Sequence, residues 1–200
     1  MKPFLLLSLS ALALGGCTVT GGGRDAGTEV TRYHLNQPIA PGSVHIEPLS
    51  ATATISPEYQ TYADAVAAEL SRMGYTRVAP ASAGASQYIA AVGFQRASRG
   101  TVQTPPRFSI GIGGGSFGRG GGLGGGLSTG LGAQTREVIV SELFVQLRRR
   151  SDETVVWEGR AQSGGLSRTS ETQPGIAAGR LATALFRGFP GESGITTIVR

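Results

Sequence analysis

The stretch from Gly111 to Gly132 most limits what this chain can fold into. Thirteen of its 22 residues are glycine. Glycine loses the most backbone freedom on ordering and brings no side chain to bury, so this composition cannot build a core. The core must come from the flanking portions. The sequence predicts a long, mobile, disordered glycine-rich insertion at about 99–134, lying between two strands. Pro105-Pro106 breaks regular structure near its start, and Phe108, Ile110 and Ile112 alternate only briefly, as a strand would.

The amino terminus reads as an export segment. Met1-Lys2-Pro3 is a short basic start, and Phe4 to Leu14 is apolar except for Ser8 and Ser10. About 11 apolar residues are too few to span a bilayer, which takes about 20. Residues 1–16 are therefore excluded from the fold as a signal peptide. Leu14-Gly15-Gly16-Cys17 resembles the lipobox of bacterial lipoproteins, with cleavage between Gly16 and Cys17. The resemblance implies a diacylglyceryl group on the Cys17 thiol and an acylated new amino terminus. Thr18, rather than an aspartate, follows; by resemblance to known sorting rules this favours the outer membrane. Residues 17–29 are expected to form a lipidated flexible tether. Its glycine-rich part, Thr18 to Thr28, would span roughly 18 Å on average as a random chain.

Removing 16 residues from 200 leaves 184, enough for one domain at 30–200. Cys17 is the only cysteine, so an intramolecular disulfide and a thiolate metal cage are excluded. Lys2 is the only lysine, and its loss takes the formal charge from +5 to +4. The mature chain then has no lysine for a phosphate-binding loop, a Schiff base or a kinase site. The export signal and the scattered arginines argue against nucleic acid, despite a pI near 10.0.

The pattern predicts an α+β fold: a two-layer sandwich with a mostly antiparallel sheet and two helices on one face. Strands are expected at Val30–Leu35, Ser43–Leu49, Tyr75–Val78 and Gln87–Ala97. A hairpin follows, Arg136–Arg149 and Thr154–Gln162, turning at Ser151-Asp152-Glu153. Ile195–Val199 reads as a terminal edge strand. A helix from Pro57 to Met73 has Ser56 as its cap, proline in its first turn and Gly74 as its stop. A second helix starts at Pro174 and ends at Gly188.

Several motifs suggest chemistry and are outweighed by their context. Gly114-Gly115-Ser116-Phe117-Gly118 fits a nucleophile elbow, but both histidines, His34 and His45, lie upstream of it. Gly113 to Gly118 also fits a phosphate-binding pattern without a following helix. Gly114, Gly118, Gly122, Gly126 and Gly130 are four apart, as in packed membrane helices, yet the segment is far from an apolar span. Its sparse Phe117, Leu123 and Leu127 are candidate partner contacts. His45 and Glu47 would share a strand face, but a pair is too few for a closed metal site. Trp157 reads as core, with a ligand groove as the alternative. Arg148-Arg149-Arg150 reads as a solvated hairpin end, with lipid headgroups as the alternative.

Taken in order, these pieces resemble the domain-of-unknown-function 4136 (DUF4136) family of bacterial envelope lipoproteins. The resemblance runs from Cys17 nearly to the end. It rests on the lipobox, the strand Val44–Leu49, and a helix closing in Met73-Gly74-Tyr75. It also rests on Val155-Val156-Trp157-Glu158-Gly159-Arg160-Ala161, like the family's Trp-x-Gly-x-Ala strand, and on Leu185-Phe186-Arg187-Gly188-Phe189-Pro190. Where related chains often carry acids, this one has Ser86-Gln87 and Phe144-Val145. The resemblance implies the fold and an envelope location; it supplies no activity and no catalytic residues.

The expectation is a non-enzymatic lipoprotein, lipid-anchored at the outer membrane and facing the periplasm. It would act as an envelope adaptor or binding module with a protein partner. The alternative is a carrier of lipid or a small apolar ligand held between sheet and helices. No metal, no nucleic acid, and no cofactor beyond the lipid on Cys17 are expected.

Overall fold

A computed structural model describes residues 27–104, 108–109, 130–131 and 134–200. The chain runs β1 (Thr28–His34), β2 (Ser43–Pro48), α1 (Pro57–Arg72), β3 (Thr76–Arg77) and β4 (Tyr88–Thr104). It continues through β5 (Phe108–Ser109), β6 (Gly130–Leu131), β7 (Gln134–Arg149), β8 (Val155–Leu166), α2 (Pro174–Phe186) and β9 (Thr196–Val199). Short 3-10 turns at Pro80–Ala85 and Ser170–Thr172 precede β4 and α2.

Among the described residues one sheet holds seven strands in the order β3-β2-β4-β7-β8-β1-β9. The pairings from β4 through β9 are antiparallel, and β2 lies parallel to both β3 and β4. The sheet is thus mixed, mostly antiparallel with a parallel margin. The helix α1 causes the parallel margin: it carries the chain back before β3, so β3 restarts in the direction of β2.

The sequence signals at the ends of α1 act as expected. Ser56 is extended (φ −99°, ψ 161°) and its Oγ accepts from the Tyr59 amide at 3.0 Å. At the other end Gly74 has φ +90°, a value that suits glycine. The Tyr75 amide donates to the Leu70 carbonyl and the Gly74 amide to that of Ser71, both at 3.0 Å. This Schellman pattern delivers Tyr75 to the core, where it is buried edge-on to Tyr88.

Both helices pack on each other and against the same sheet face. That face alternates by register: Val30, Ala161, Leu143 and Phe94 form one row, and Leu147, Trp157 and Ala90 another. Tyr62 of α1 stacks on Phe94, with centroids 4.6 Å apart. Trp157 is fully buried, stacks on Phe186 at 5.4 Å and meets Phe189 at a tilt, with centroids 5.2 Å apart. Its Nε1 donates to the Pro190 carbonyl at 3.0 Å. The peptide bond between Phe189 and Pro190 is cis.

Residues 99–104, expected to open the insertion, are strand instead. Strand β4 continues to Thr104 and pairs with a β7 that starts at Gln134. Thr101, Val102 and Thr104 favour extended backbone and find partners there, which outweighs the nearby glycines. A bulge between Ser98 and Thr101, with Gly100 at φ +103°, lets the register shift without breaking the ladder. Beyond it, β5 and β6 form a further antiparallel pair. Likewise β1 starts at Thr28, inside the expected tether, and β8 continues to Leu166.

Candidate functional site

Register divides the side chains of the sheet into two sets. One meets the helices; the other forms a helix-free face. On that face β1 and β9 place Thr31, Tyr33, Thr196 and Ile198, and β8 places Glu158 and Arg160. Strand β7 adds Glu142, Phe144, Gln146 and Arg148. Gly93 of β4 forms part of the floor, with Leu49 folded over it: a methyl group on Gly93 would lie 3.0 Å from a Leu49 Cδ.

Opposite charges answer one another across this face. Arg148 donates to Glu47 at 2.7 Å and lies 3.9 Å from Glu153. Arg160 pairs with Glu142, and its guanidinium sits 5.1 Å from the centre of the Phe144 ring. The Gln146 amide donates to Glu158 at 3.2 Å. The face forms a shallow, internally paired groove bounded by Tyr33, Leu49 and Phe144.

Neither histidine forms a catalytic pair in the described structure. His34 accepts from the Asn36 amide at Nδ1, which leaves Nε2–H to donate to the Gly191 carbonyl at 3.0 Å. His45 and Glu47 are alternate residues of β2 on the helix-free face, where Arg148 engages Glu47. Among the described residues no group of three or more His, Cys, Asp and Glu side chains could hold a metal ion.

The two ends of the sheet differ. At the turn end, between β7 and β8, the three consecutive arginines are dispersed: Arg148 to Glu47, Arg149 to Asp152 at 3.0 Å, and Arg150 to the Ser86 Oγ at 2.8 Å. The Asp152 carboxylate accepts from the Thr154 amide, which lowers its pKa below the usual aspartate value, with help from Arg149. At the other end the β4–β7 ribbon extends past β8. A recess at its base is lined by Thr101, Thr135, Arg136, Glu137, Ser167 and Arg168. Nothing in the sequence spacing links Arg136 to Arg168; the ladder joins them, with the Ser167 amide donating to the Glu137 carbonyl at 2.7 Å.

Of the residues singled out from sequence, Gly16, Cys17, Phe117, Leu123 and Leu127 lie outside the described residues, as do the Gly114–Gly118 motifs. Trp157 lies within them and is wholly core, so its ring offers no surface to a partner. The Trp-x-Gly-x-Ala spacing has a packing origin. Trp157, Gly159 and Ala161 all face the helices, and a methyl group at Gly159 would lie 2.5 Å from the indole and 2.7 Å from a Leu185 Cδ.

Residues 40–191 match the family described as "Domain of unknown function (DUF4136)". An uncharacterized protein of Zymomonas mobilis, ZMO1243, is 34% identical over 86% of this chain and 80% of its own length. Among solved structures, a PelC dodecamer from Paraburkholderia phytofirmans aligns at a TM-score of 0.40 and 14% identity, over 78% of this chain and 91% of that one. A PDZ domain protein from Parabacteroides distasonis aligns at 0.43 and 8% identity, over 86% of this chain; the match spans 39% of that protein. By the family match over residues 40–191, this chain belongs to the DUF4136 family.

Proposed function

We propose that the protein is a non-enzymatic lipoprotein, anchored at the outer membrane by lipid on Cys17, whose domain works in the periplasm as an envelope adaptor. In this reading one sheet and two helices form a two-layer sandwich whose interior is structural and whose outer surfaces bind. The observation that carries the choice of adaptor over carrier is the filled interior at Gly159, where even a methyl group would collide with Trp157 and Leu185. A lipid or small apolar ligand held there would have to displace that packing. The strand β9 supports the reading further, since it is an edge strand with Ile198 exposed and Tyr33 exposed beside it. A partner strand can add to such an edge through backbone hydrogen bonds.

Two measurements test this proposal. Wild type should incorporate radiolabelled palmitate in cells and Cys17→Ser should not; equal labelling would end the anchor assignment. Photo-crosslinking in cells from position 198 and from position 117 should give a discrete protein adduct. Mass spectrometry of the native protein showing one bound lipid or metabolite per chain, with no protein adduct, would replace the adaptor by the carrier.

A further inference from the structure

The two margins of the sheet are built differently. At one margin β3 is two residues long and carries Arg77, which bonds to Asp64 at 3.0 Å. It pairs with Ser43 and Val44, and the rest of β2 runs to Pro48, which has no amide hydrogen to offer. Short length, charge and proline all keep a sheet margin from pairing with another chain. The other margin has only its short length. Strand β9 is Thr196-Thr197-Ile198-Val199, four β-branched residues without charge or proline. It is bonded to β1 on one side, and among the described residues no strand lies on the other. Ile198 is 59% exposed and Ile195, just before the strand, 52%.

The ends of β9 carry opposite charges. Glu192 precedes the strand and Arg200 follows it, and both are exposed. Among the described residues neither side chain has an ion pair. The Arg187 guanidinium adds to the basic end, where it donates to the Arg200 carbonyl at 2.8 Å. An antiparallel match between two copies of β9 sets the acidic end of each beside the basic end of the other. A parallel match would set like charge beside like. A two-fold axis normal to the sheet closes the antiparallel pair and leaves neither β9 edge open. The order of charge is complementary to itself, which selects a second copy of this chain as the partner strand.

We infer that two copies of this chain pair through β9, antiparallel about a two-fold axis, so that two seven-stranded sheets join edge to edge. This rests on the strand-addition reading proposed above and names the strand that adds. Both helix layers then lie on one side of the joined sheet and both helix-free faces on the other. The joint is small: one four-residue strand from each copy, with Ile195 and Ile198, against the roughly 800 Å² per partner of a standard interface. Association is therefore weak in free solution and stronger where both copies are confined to one surface. The tethers allow that confinement. Thr28 pairs with Val199, so the two tethers leave the joined pair about 14–25 Å apart, the exact value set by which residue of β9 lies on the axis. Both chains then reach the same membrane.

The test uses the full lipidated chain in phosphatidylglycerol vesicles. A nitroxide is placed through Glu29→Cys, on β1 opposite Ile198, or through Asp152→Cys, at the β7–β8 turn. In the joined pair the two Cα atoms at 29 lie about 14–20 Å apart, and those at 152 lie about 29 Å or more apart, six strand spacings. Pulsed dipolar spectroscopy should show the short distance at 29 and not at 152, and dilution with unlabelled wild type should remove it. Glu192→Arg should lower the coupled fraction several-fold, and so should Arg200→Glu. A one-to-one mixture of these two variants, or the double variant carrying both changes, should restore it, because acid again faces base. No short distance at 29, an equal one at 152, or coupling untouched by both charge reversals overturns the self-pairing. Photo-crosslinking in cells from position 198 separates the two readings. An adduct of twice the chain mass supports the second copy. An adduct of another mass without coupling at 29 removes the second copy and keeps strand addition, and neither adduct nor coupling removes both.

Discussion

Gly159 shows how a single absent atom organises the interior. The indole of Trp157 lies back along its own strand and occupies the space a side chain at 159 would need. Gly159→Ala therefore forces either the tryptophan or Leu185 from its position, an overpacking cost of about 1–3 kcal/mol. Urea unfolding should show a lower midpoint with an unchanged slope. The buried tyrosines give a second prediction at this scale. Burial raises the pKa of Tyr59 to about 12, reinforced by Glu47, and that of Tyr75 to about 12, with Tyr88 adding to it. The folded state therefore favours the neutral phenol. The associated stability is fully present below the unfolded value near 10 and is lost as pH rises through 12. Denaturant melts should be flat with respect to these groups below pH 10 and fall steeply above it, and the double variant Tyr59→Phe/Tyr75→Phe should lessen that fall.

At the scale of elements, the end of α2 depends on a residue from the first strand. Arg32 of β1 is buried, and its guanidinium donates to the carbonyls of Leu185 at 2.8 Å and of Ala184 and Arg187 at 3.0 Å. Burial lowers its pKa, and the three carbonyls at the negative end of the helix are its partners. Arg32→Met would leave those carbonyls without a donor and cost about 2–4 kcal/mol. Arg32→Lys should recover only part of this, because an ammonium group cannot span the same three acceptors. Calorimetry on the two variants checks the order.

Element ends were legible in the sequence where the chemistry is local. Ser56-Pro57 and Gly74 mark α1 because a cap, a fixed φ and a left-handed stop each act within a few residues. The parallel pairing of β2 was not legible, since a strand has a two-residue period in either direction. Spacing put Trp157 in the core, but not its partners: Phe186 ends α2 and Phe189 lies just beyond it. The recess of Arg136 and Arg168 was hidden for the same reason, being made by register between strands remote in sequence. The candidate contacts at 117, 123 and 127 came from composition, and the described residues do not reach them.

Across the whole molecule, stability is unevenly distributed. Between Ala90 and Val92, β4 is flanked by β2 and β7, and Ala90, Ala91 and Val92 are all buried. Past Val138 the ladder to β8 has ended, and among the described residues Thr101 to Gln103 pair only with Thr135 to Glu137. Two-stranded ribbons are marginal on their own in water. Amide hydrogen exchange should therefore be slow at Ala90–Val92, approaching the global unfolding limit, and orders of magnitude faster at Thr101–Gln103. Equal protection in both segments would mean that the ribbon is held by something else, such as a second molecule.

The position of β1 also settles how the domain would bear a load. This strand lies between β8 and β9, and the chain enters it at Thr28. Tension from the preceding segment pulls β1 along its own axis, while its hydrogen bonds run across that axis. The bonds to both neighbours are then strained in shear and must yield together, instead of opening one by one as in a zipper. Arg32, clasped to the end of α2, adds a lateral pin near the middle of the strand. A pull on the chain ahead of Thr28 along the strand would therefore meet the domain in its most resistant direction.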